Sequence, residues 1–551
     1  MKNTNRYFAR MFYFLFIISI ALFAQDSITT HDILSAEKII GLSFNEAKRE
    51  SLLGDVQGQL NSYRRLRSVP LPNSIGPSML FNPIPFGMTF DNKKSVFAPE
   101  GAQKVTLPKN SDELAFFPVG ELSVLIKTRK ITSVQLTTLY LERIKKYRPM
   151  LQCIITVTES LALAQAHRAD TEIAAGKYRG PLHGIPYGAK DLLSTKKYPT
   201  TWGSVPFKEQ IFDEDATVIK KLEAAGAVLI AKTAMGELAW GDVWFAGKSK
   251  NPWDTTQGSS GSSAGSASGT AAGLFAFAIG SETYGSIVSP STRCGTTGLR
   301  PTYGRVSRYG AMALSWSMDK LGPICRTVED CAIVFNAIYG PDENDQTLYD
   351  RPFVYEPRKT DLKKLRIGYL KSDFDSAQSD RTFNDSVLIV LKKLGAVLIP
   401  VELPHFPVDD ISIMLGAESA AAFDDLTRSG HDDLLVRQIK NAWPNSFRAS
   451  RFIPAVEYIQ ASRVRQLLIG EMKKVMDKID VYVGPSQEGS SLLLTNLTGH
   501  PCVVVPSGFT KEGHPVSITF TGNLFDEGTM LSVAKKYQDA TSFHLHHPKL
   551  D

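Results

Sequence analysis

The stretch DATVIKKLEAAGAVLIAKTA, residues 215–234, carries two periodicities back to back. Val218, Ile219 and Leu222 fall on one face of a helix, and AVLIAKTA is the short apolar run of a buried strand. The same pairing recurs on either side. Upstream, LQCIITVT (151–158) reads as a strand and SLALAQAHRADTEIAAG (160–176) as a helix. Before them, GELSVLIKTRKITSVQLTTLYLERIKKY (120–147) gives two amphipathic helices, the second capped at Thr132 or Ser133. Downstream, LRIGYLK (365–371), VLIVLKKLGAVLIPVEL (387–403), VYVGPS (481–486) and PCVVVPSGF (501–509) continue the alternation. Helix and apolar strand in turn argue an α/β fold around a buried, largely parallel or mixed sheet. No internal repeat interrupts it.

Further out the pattern changes. ILSAEKIIGLSF (33–44) and LLGDVQGQLNSYRRLR (52–67) space apolar residues three and four apart, as helices do. VPLPNSIGPSMLFNPIPFGM (69–88) is rich in Pro, Asn and Gly and reads as an irregular linker wrapping over something. Lys2, Arg6 and Arg10 precede the 14-residue apolar run MFYFLFIISIALFA, which ends at Ala24. A basic start, a short apolar centre and a small terminal residue read as a secretory signal, so the expectation is an exported protein, periplasmic or secreted. The alternative is an uncleaved membrane anchor, for which the run is short. The expected organisation is a leader over 1–24, a helical extension and linker over 25–110, and a catalytic domain over 111–551. Segment 340–363 is polar and reads as a surface excursion, and His544–His547 as a frayed terminus.

The 551 residues carry 43% hydrophobic and 21% charged side chains, an ordinary globular balance with material for a large core. The net charge of +6 comes from 62 basic against 56 acidic residues, with no stretch that concentrates Lys and Arg among aromatics. Nucleic-acid binding is therefore not expected. The five cysteines, at 153, 294, 325, 331 and 502, are odd in number and scattered. They read as buried apolar residues, with a Cys325–Cys331 bridge left open. No metal-ligand spacing appears, and the expected chemistry needs no metal or cofactor.

Three separated places point to that chemistry. In GPLHGIPYGAKDLL (180–193), Lys190 follows Gly184, Pro186 and Gly188 at the end of a strand. A lysine in a dry, tight pocket loses its proton easily and becomes a base, whereas on a loop it would only pair with Asp191. In QGSSGSSAGSASGTAAG (257–273), small residues run directly into an apolar segment, which suits close backbone approach better than a linker. In GSETYGSIVSPSTRCGTTG (280–298), apolar chain leads to a turn in which Thr283, Tyr284 and Gly285 offer N–H groups beside the Ser286 hydroxyl, the layout of an oxyanion hole next to a nucleophile. A rival reading takes GSSAG (261–265) as a G-x-S-x-G elbow with Ser263 as the nucleophile of an α/β-hydrolase esterase, although no strand precedes it. GDVWFAGKS (241–249) imitates a phosphate loop, but its spacer is too long and Trp244 and Phe245 obstruct it.

From about Phe116 to His547 the chain resembles the amidase signature family, most specifically over residues 258–307 and 317–330, with GIPYGAKD and TNLTGHPCVVVPSGF as further blocks. The resemblance implies a central mixed sheet covered by helices on both faces. It also implies a Ser–Ser–Lys triad of Ser286 as nucleophile, Ser262 as bridging serine in a cis peptide with Gly261, and Lys190 as base. The implied activity is hydrolysis of linear amides, on a small-molecule or peptide amide substrate. The alternatives are the glutaminase (A-type) subunit of a tRNA-dependent amidotransferase and an inactive binding protein on the same fold. Two positions depart from the family pattern: Tyr284 stands where the family usually has Gly, and Val288 where it usually has Arg.

Overall fold

The computed structural model describes residues 28–90, 94–101, 104–376, 381–487 and 489–550, so the leader expected over 1–24 lies outside the described residues. The chain forms two compact units, divided between Leu71 and Pro72.

In the first unit, helix Thr30–Ile40 starts from a capping box between Thr29 and Asp32 and ends at Gly41. Helix Glu46–Arg67 is capped by the Asn45 side chain. An ion pair joins the two, with Arg49 donating to both oxygens of Glu37 at 2.7 and 2.9 Å.

The second unit is built on an 11-stranded sheet. In chain order its strands are β1 (Ile154–Val157), β2 (Pro186–Lys190), β3 (Val228–Thr233), β4 (Phe277–Glu282), β5 (Thr297–Arg300), β6 (Lys320–Cys325), β7 (Ile367–Leu370), β8 (Leu398–Val401), β9 (Val481–Pro485), β10 (Cys502–Phe509) and β11 (Pro515–Gly522). Across the sheet they run β8-β7-β9-β11-β10-β5-β6-β4-β2-β3-β1. Pairing is parallel near the two ends, β7 with β8 and β9, and β2 with β3 and β4. Through the middle it is antiparallel. Helices cover both faces, and β2, β3, β4 and β6 are buried at every position.

Helical crossovers make the parallel pairs. Helix Thr217–Ala224 carries the chain from β2 to β3, and helix Ala264–Ala271 lies on the path from β3 to β4. The second helix is buried along its whole length, which its small residues allow. A β-carbon at Gly265 would come within 2.0 Å of the Cys153 carbonyl oxygen. Because β2 and β4 are parallel neighbours, their C-terminal ends open on the same edge, the usual place for a ligand in such a sheet.

Two surface segments are tied to the body by local contacts. Within 340–363, Phe353 and Tyr355 are buried, and Val354–Tyr355 pairs with Val96–Phe97, so the excursion is tied down by its apolar residues. The terminal histidines pack instead of fraying: His547 stacks on Phe116 with ring centroids 3.8 Å apart, and His546 lies against Phe509. All five cysteines are free and buried, Cys325 and Cys331 included.

Candidate active site

Lys190 ends β2 and is fully buried. Its Nζ donates to the hydroxyls of Ser262 at 2.8 Å, Ser281 at 2.8 Å and Ser263 at 3.1 Å. Burial lowers its pKa to about 7, against the pull of the Asp319 and Glu282 charges, which raise it. The neutral amine is therefore within reach near pH 7, and with two N–H groups left it accepts from one of these three hydroxyls.

The Ser262–Ser263 segment enters helix Ala264–Ala271, and the Gly261–Ser262 peptide bond is cis. Gly261 sits where a β-carbon would meet the Gly241 carbonyl oxygen at 1.8 Å, so no larger residue fits. The Ser263 hydroxyl donates to the Ser281 carbonyl at 3.0 Å and accepts from the Ser281 N–H at 3.1 Å. Its proton is thus committed to the backbone of β4. Of the three hydroxyls around Lys190, only those of Ser262 and Ser281 can hand a proton to the neutral amine.

Ser286 lies just past the end of β4, its side chain nearly buried. The Ser263 N–H donates to the Ser286 carbonyl at 3.2 Å, which lays the Ser286 turn against the Ser262 segment. Among the described residues, no hydrogen bond joins the Ser262 and Ser286 hydroxyls directly. Thr283 donates its hydroxyl to Asp319 at 2.5 Å, Tyr284 is 47% exposed, and Gly285 takes φ +83°, where a side chain would be strained. The Tyr284 ring therefore stands at the rim.

Around this turn lies a network that motif reading missed. One oxygen of Glu282 accepts from the Ile287 and Val288 N–H groups at 2.8 and 2.9 Å, directly after Ser286. The other accepts from Arg300 Nη1 and Asn496 Nδ2, each at 2.8 Å. Arg300 also donates to Thr495 and to the His500 carbonyl. Burial would raise the Glu282 carboxyl, but Arg300 and these donors hold it down at about 2. Val288 itself packs with Cys502 and Val504. Where the resemblance expects an arginine there is apolar packing, and the turn's backbone is held from Glu282 instead. Ser281 and Glu282 stand in the same quoted stretch as Ser286, but only the sheet shows what they bind.

The amidase family model matches residues 135–491, more than half of the chain and the whole of this constellation except Asn496 and its neighbours. The chain belongs to the amidase signature family. The A-type subunit of the glutamyl-tRNA(Gln) amidotransferase of Carboxydothermus hydrogenoformans is 35% identical to this amidase-family chain over 487 residues, covering 80% of it and all of the relative. Among solved structures, an amidase family protein from Bacillus anthracis superposes with TM-score 0.72 at 28% identity, covering 80% of this chain and 94% of that one. The peptide amidase of Stenotrophomonas maltophilia gives TM-score 0.69 at 28% identity, covering 77% and 97%. This amidase-family chain is accordingly a hydrolase acting on C–N bonds.

The expectation of export, with its anchored alternative, is corrected by the same comparison. The curated relatives that match most of this chain are named as subunits of an enzyme of glutamyl-tRNA(Gln), which is not an exported substrate. The leader reading rested on composition over 1–24 alone. Among the described residues, no helix is long and apolar enough to cross a membrane.

Proposed function

We propose that the chain hydrolyses a carboxamide through an acyl-enzyme on Ser286. The observation that carries this reading is the 2.8 Å contact between the Ser262 hydroxyl and a buried Lys190 whose pKa is lowered to about 7. Neutral Lys190 takes the proton of Ser262, Ser262 takes that of Ser286, and Ser286 Oγ attacks the amide carbon. The carbonyl π pair moves to oxygen, where the N–H groups of Thr283, Tyr284 and Gly285 receive it, each donor contributing about 3 kcal/mol. As the tetrahedral centre collapses the C–N bond breaks, and the proton returns through Ser262 to the leaving amine. Water then adds to the ester, releasing the acid and restoring Ser286. The Ser263 elbow reading loses its support, because a nucleophile elbow presents a free hydroxyl and that of Ser263 is buried and engaged at both ends.

A second reading, the A-type glutaminase subunit of a tRNA-dependent amidotransferase, shares this chemistry and differs in the fate of the ammonia. The curated relatives favour it over a free-standing amidase: eight of 34–35% identity carry the amidotransferase name, and this chain spans 97% or more of each. It would bring protein partners with it.

The deciding experiment measures ammonia release from L-glutamine and from a panel of simple primary amides by the chain alone. Fluorophosphonate labelling in parallel should place the label on Ser286. Label on Ser263 would sink the mechanism. Amide turnover by the isolated chain supports the free-standing enzyme. Turnover of glutamine that requires added amidotransferase partner subunits supports the second reading.

A further inference from the structure

We infer that the acyl group of the substrate is apolar, and that a strap formed by residues 73–80 selects for it. The inference rests on the reading of Ser286 as nucleophile. A cavity of about 300 Å³ has Ser281 and Thr283 in its lining. Ser281 is one of the three serines whose hydroxyls accept from Lys190, and Thr283 supplies one of the proposed oxyanion donors. The cavity therefore adjoins the reacting centre.

Its walls come from two places. Leu314, Trp316 and Leu321 belong to the body of the fold, while Ile75, Met79 and Leu80 belong to the strap. The strap lies outside the 135–491 matched by the family model, so this wall is no part of the matched region. It is held close: the Asn73 side chain donates to the Ala313 carbonyl at 2.8 Å and accepts from the Ala313 N–H at 2.7 Å. A β-carbon at Gly76 would stand 3.3 Å from the Trp316 ring. Yet Ile75, Met79 and Leu80 leave 56, 69 and 50% of their surface uncovered. An apolar group in the cavity would cover such surface, and each methylene so buried contributes about 0.8 kcal/mol, roughly fourfold in an equilibrium or rate constant.

The charges on the cavity wall argue against a zwitterionic acyl group. Arg308 donates to Asp345, Thr347, the Tyr303 hydroxyl and the Trp316 carbonyl. Asp319 accepts from Thr283 and from the Leu314 and Ser315 N–H groups. Arg308 is already paired with Asp345, and Asp319 carries the same sign as a carboxylate, so an α-carboxylate entering here would be desolvated without a counter-charge.

The test compares kcat/KM of the full chain for unbranched primary amides from acetamide to octanamide and for L-glutamine. The expected result is a rise of about fourfold per methylene up to the filling of the cavity, with hexanamide at least tenfold above glutamine. A flat series, or glutamine as the best substrate, overturns the inference. In Ile75→Asp and Met79→Asp the ratio of hexanamide to acetamide should fall about tenfold with acetamide turnover within twofold of the parent. An equal loss for both amides would make the strap merely structural and also overturn it. Octanoate binding, followed by fluorescence with Trp316→Phe as control, reads the cavity without catalysis, and no quenching counts against it. Fluorophosphonate labelling separates the two failures. Ser286 labelled with a flat series rejects the acyl selectivity alone, whereas Ser286 unlabelled rejects the hydrolase reading and this one with it.

Discussion

At the scale of single residues, the chemistry turns on which side chains can lose a proton. Ser286→Ala should abolish amide hydrolysis. Ser262→Ala should lose most of it while leaving Ser286 slowly labelled by a fluorophosphonate, as intact-mass measurement would show. The pH dependence follows from Lys190. Burial lowers its pKa to about 7, the base must be neutral, and so activity should be low in acid and rise through an apparent pKa near 7. Lys190→Ala should remove that limb, and a limb that persists in the variant would refute the assignment. The Asp319 charge raises the Lys190 pKa, so Asp319→Asn should move the limb to lower pH. Lys190 and Ser286 stood out in sequence because each sits in a short block with its own character, whereas Ser262 was singled out within its serine-rich run only by the family resemblance. Ser281 was not, since a serine inside a buried strand gives no local sign that a lysine 91 residues away will donate to it.

At the scale of elements, the Ser286 turn is held by strand and helix positions, two of them remote from it in sequence. Glu282 on β4 binds the turn's backbone, Arg300 on β5 neutralises Glu282, and Asn496 on helix Ser491–Thr498 completes the set. Glu282→Gln keeps the shape but leaves Arg300 buried without its counter-charge, a loss of about 3–5 kcal/mol by analogy with broken buried pairs. Denaturant unfolding should show that loss. Kinetics of the folded fraction should show kcat changing more than KM, because Glu282 holds the backbone of the turn that carries the proposed nucleophile. Unchanged kcat in folded Glu282→Gln enzyme would reject the positioning role. The alternation of helix and strand was readable from periodicity, as at 215–234, and the Thr132 cap proved correct, with Gln135 closing a capping box. The Glu282 network was not readable, because its members come from segments up to 214 residues apart.

At the scale of the whole molecule, every residue of the candidate site belongs to the unit that begins at Pro72. Deleting residues 1–71 should therefore leave kcat/KM for simple amides within about twofold. Extending the deletion through residue 90 removes the strap. That change also takes Phe81 from between Tyr303 and the Arg465 guanidinium, which lies 3.6 Å from its ring centroid. The longer deletion should lower the melting temperature and flatten the acyl-length profile together. A flattened profile already in the shorter deletion would show that selectivity resides elsewhere.

The sequence by itself determined the α/β class, the family, and the three polar blocks around Lys190, Ser262 and Ser286. These are written in short-range periodicity and in dense local runs of small residues, which need no knowledge of the fold. The tertiary structure alone decided the order of strands, and with it everything that depends on neighbours. Setting β4 between β2 and β6 puts Ser281 beside Lys190 and makes Glu282 the register partner of Lys320. It commits Ser263 to holding β4, and it seats the strap against Trp316. The physical reason is that pairing of distant segments is selected by packing and by hydrogen bonds made only once the sheet is assembled. A hydrophobic pattern records which face of an element is buried, and it does not record what that face is buried against.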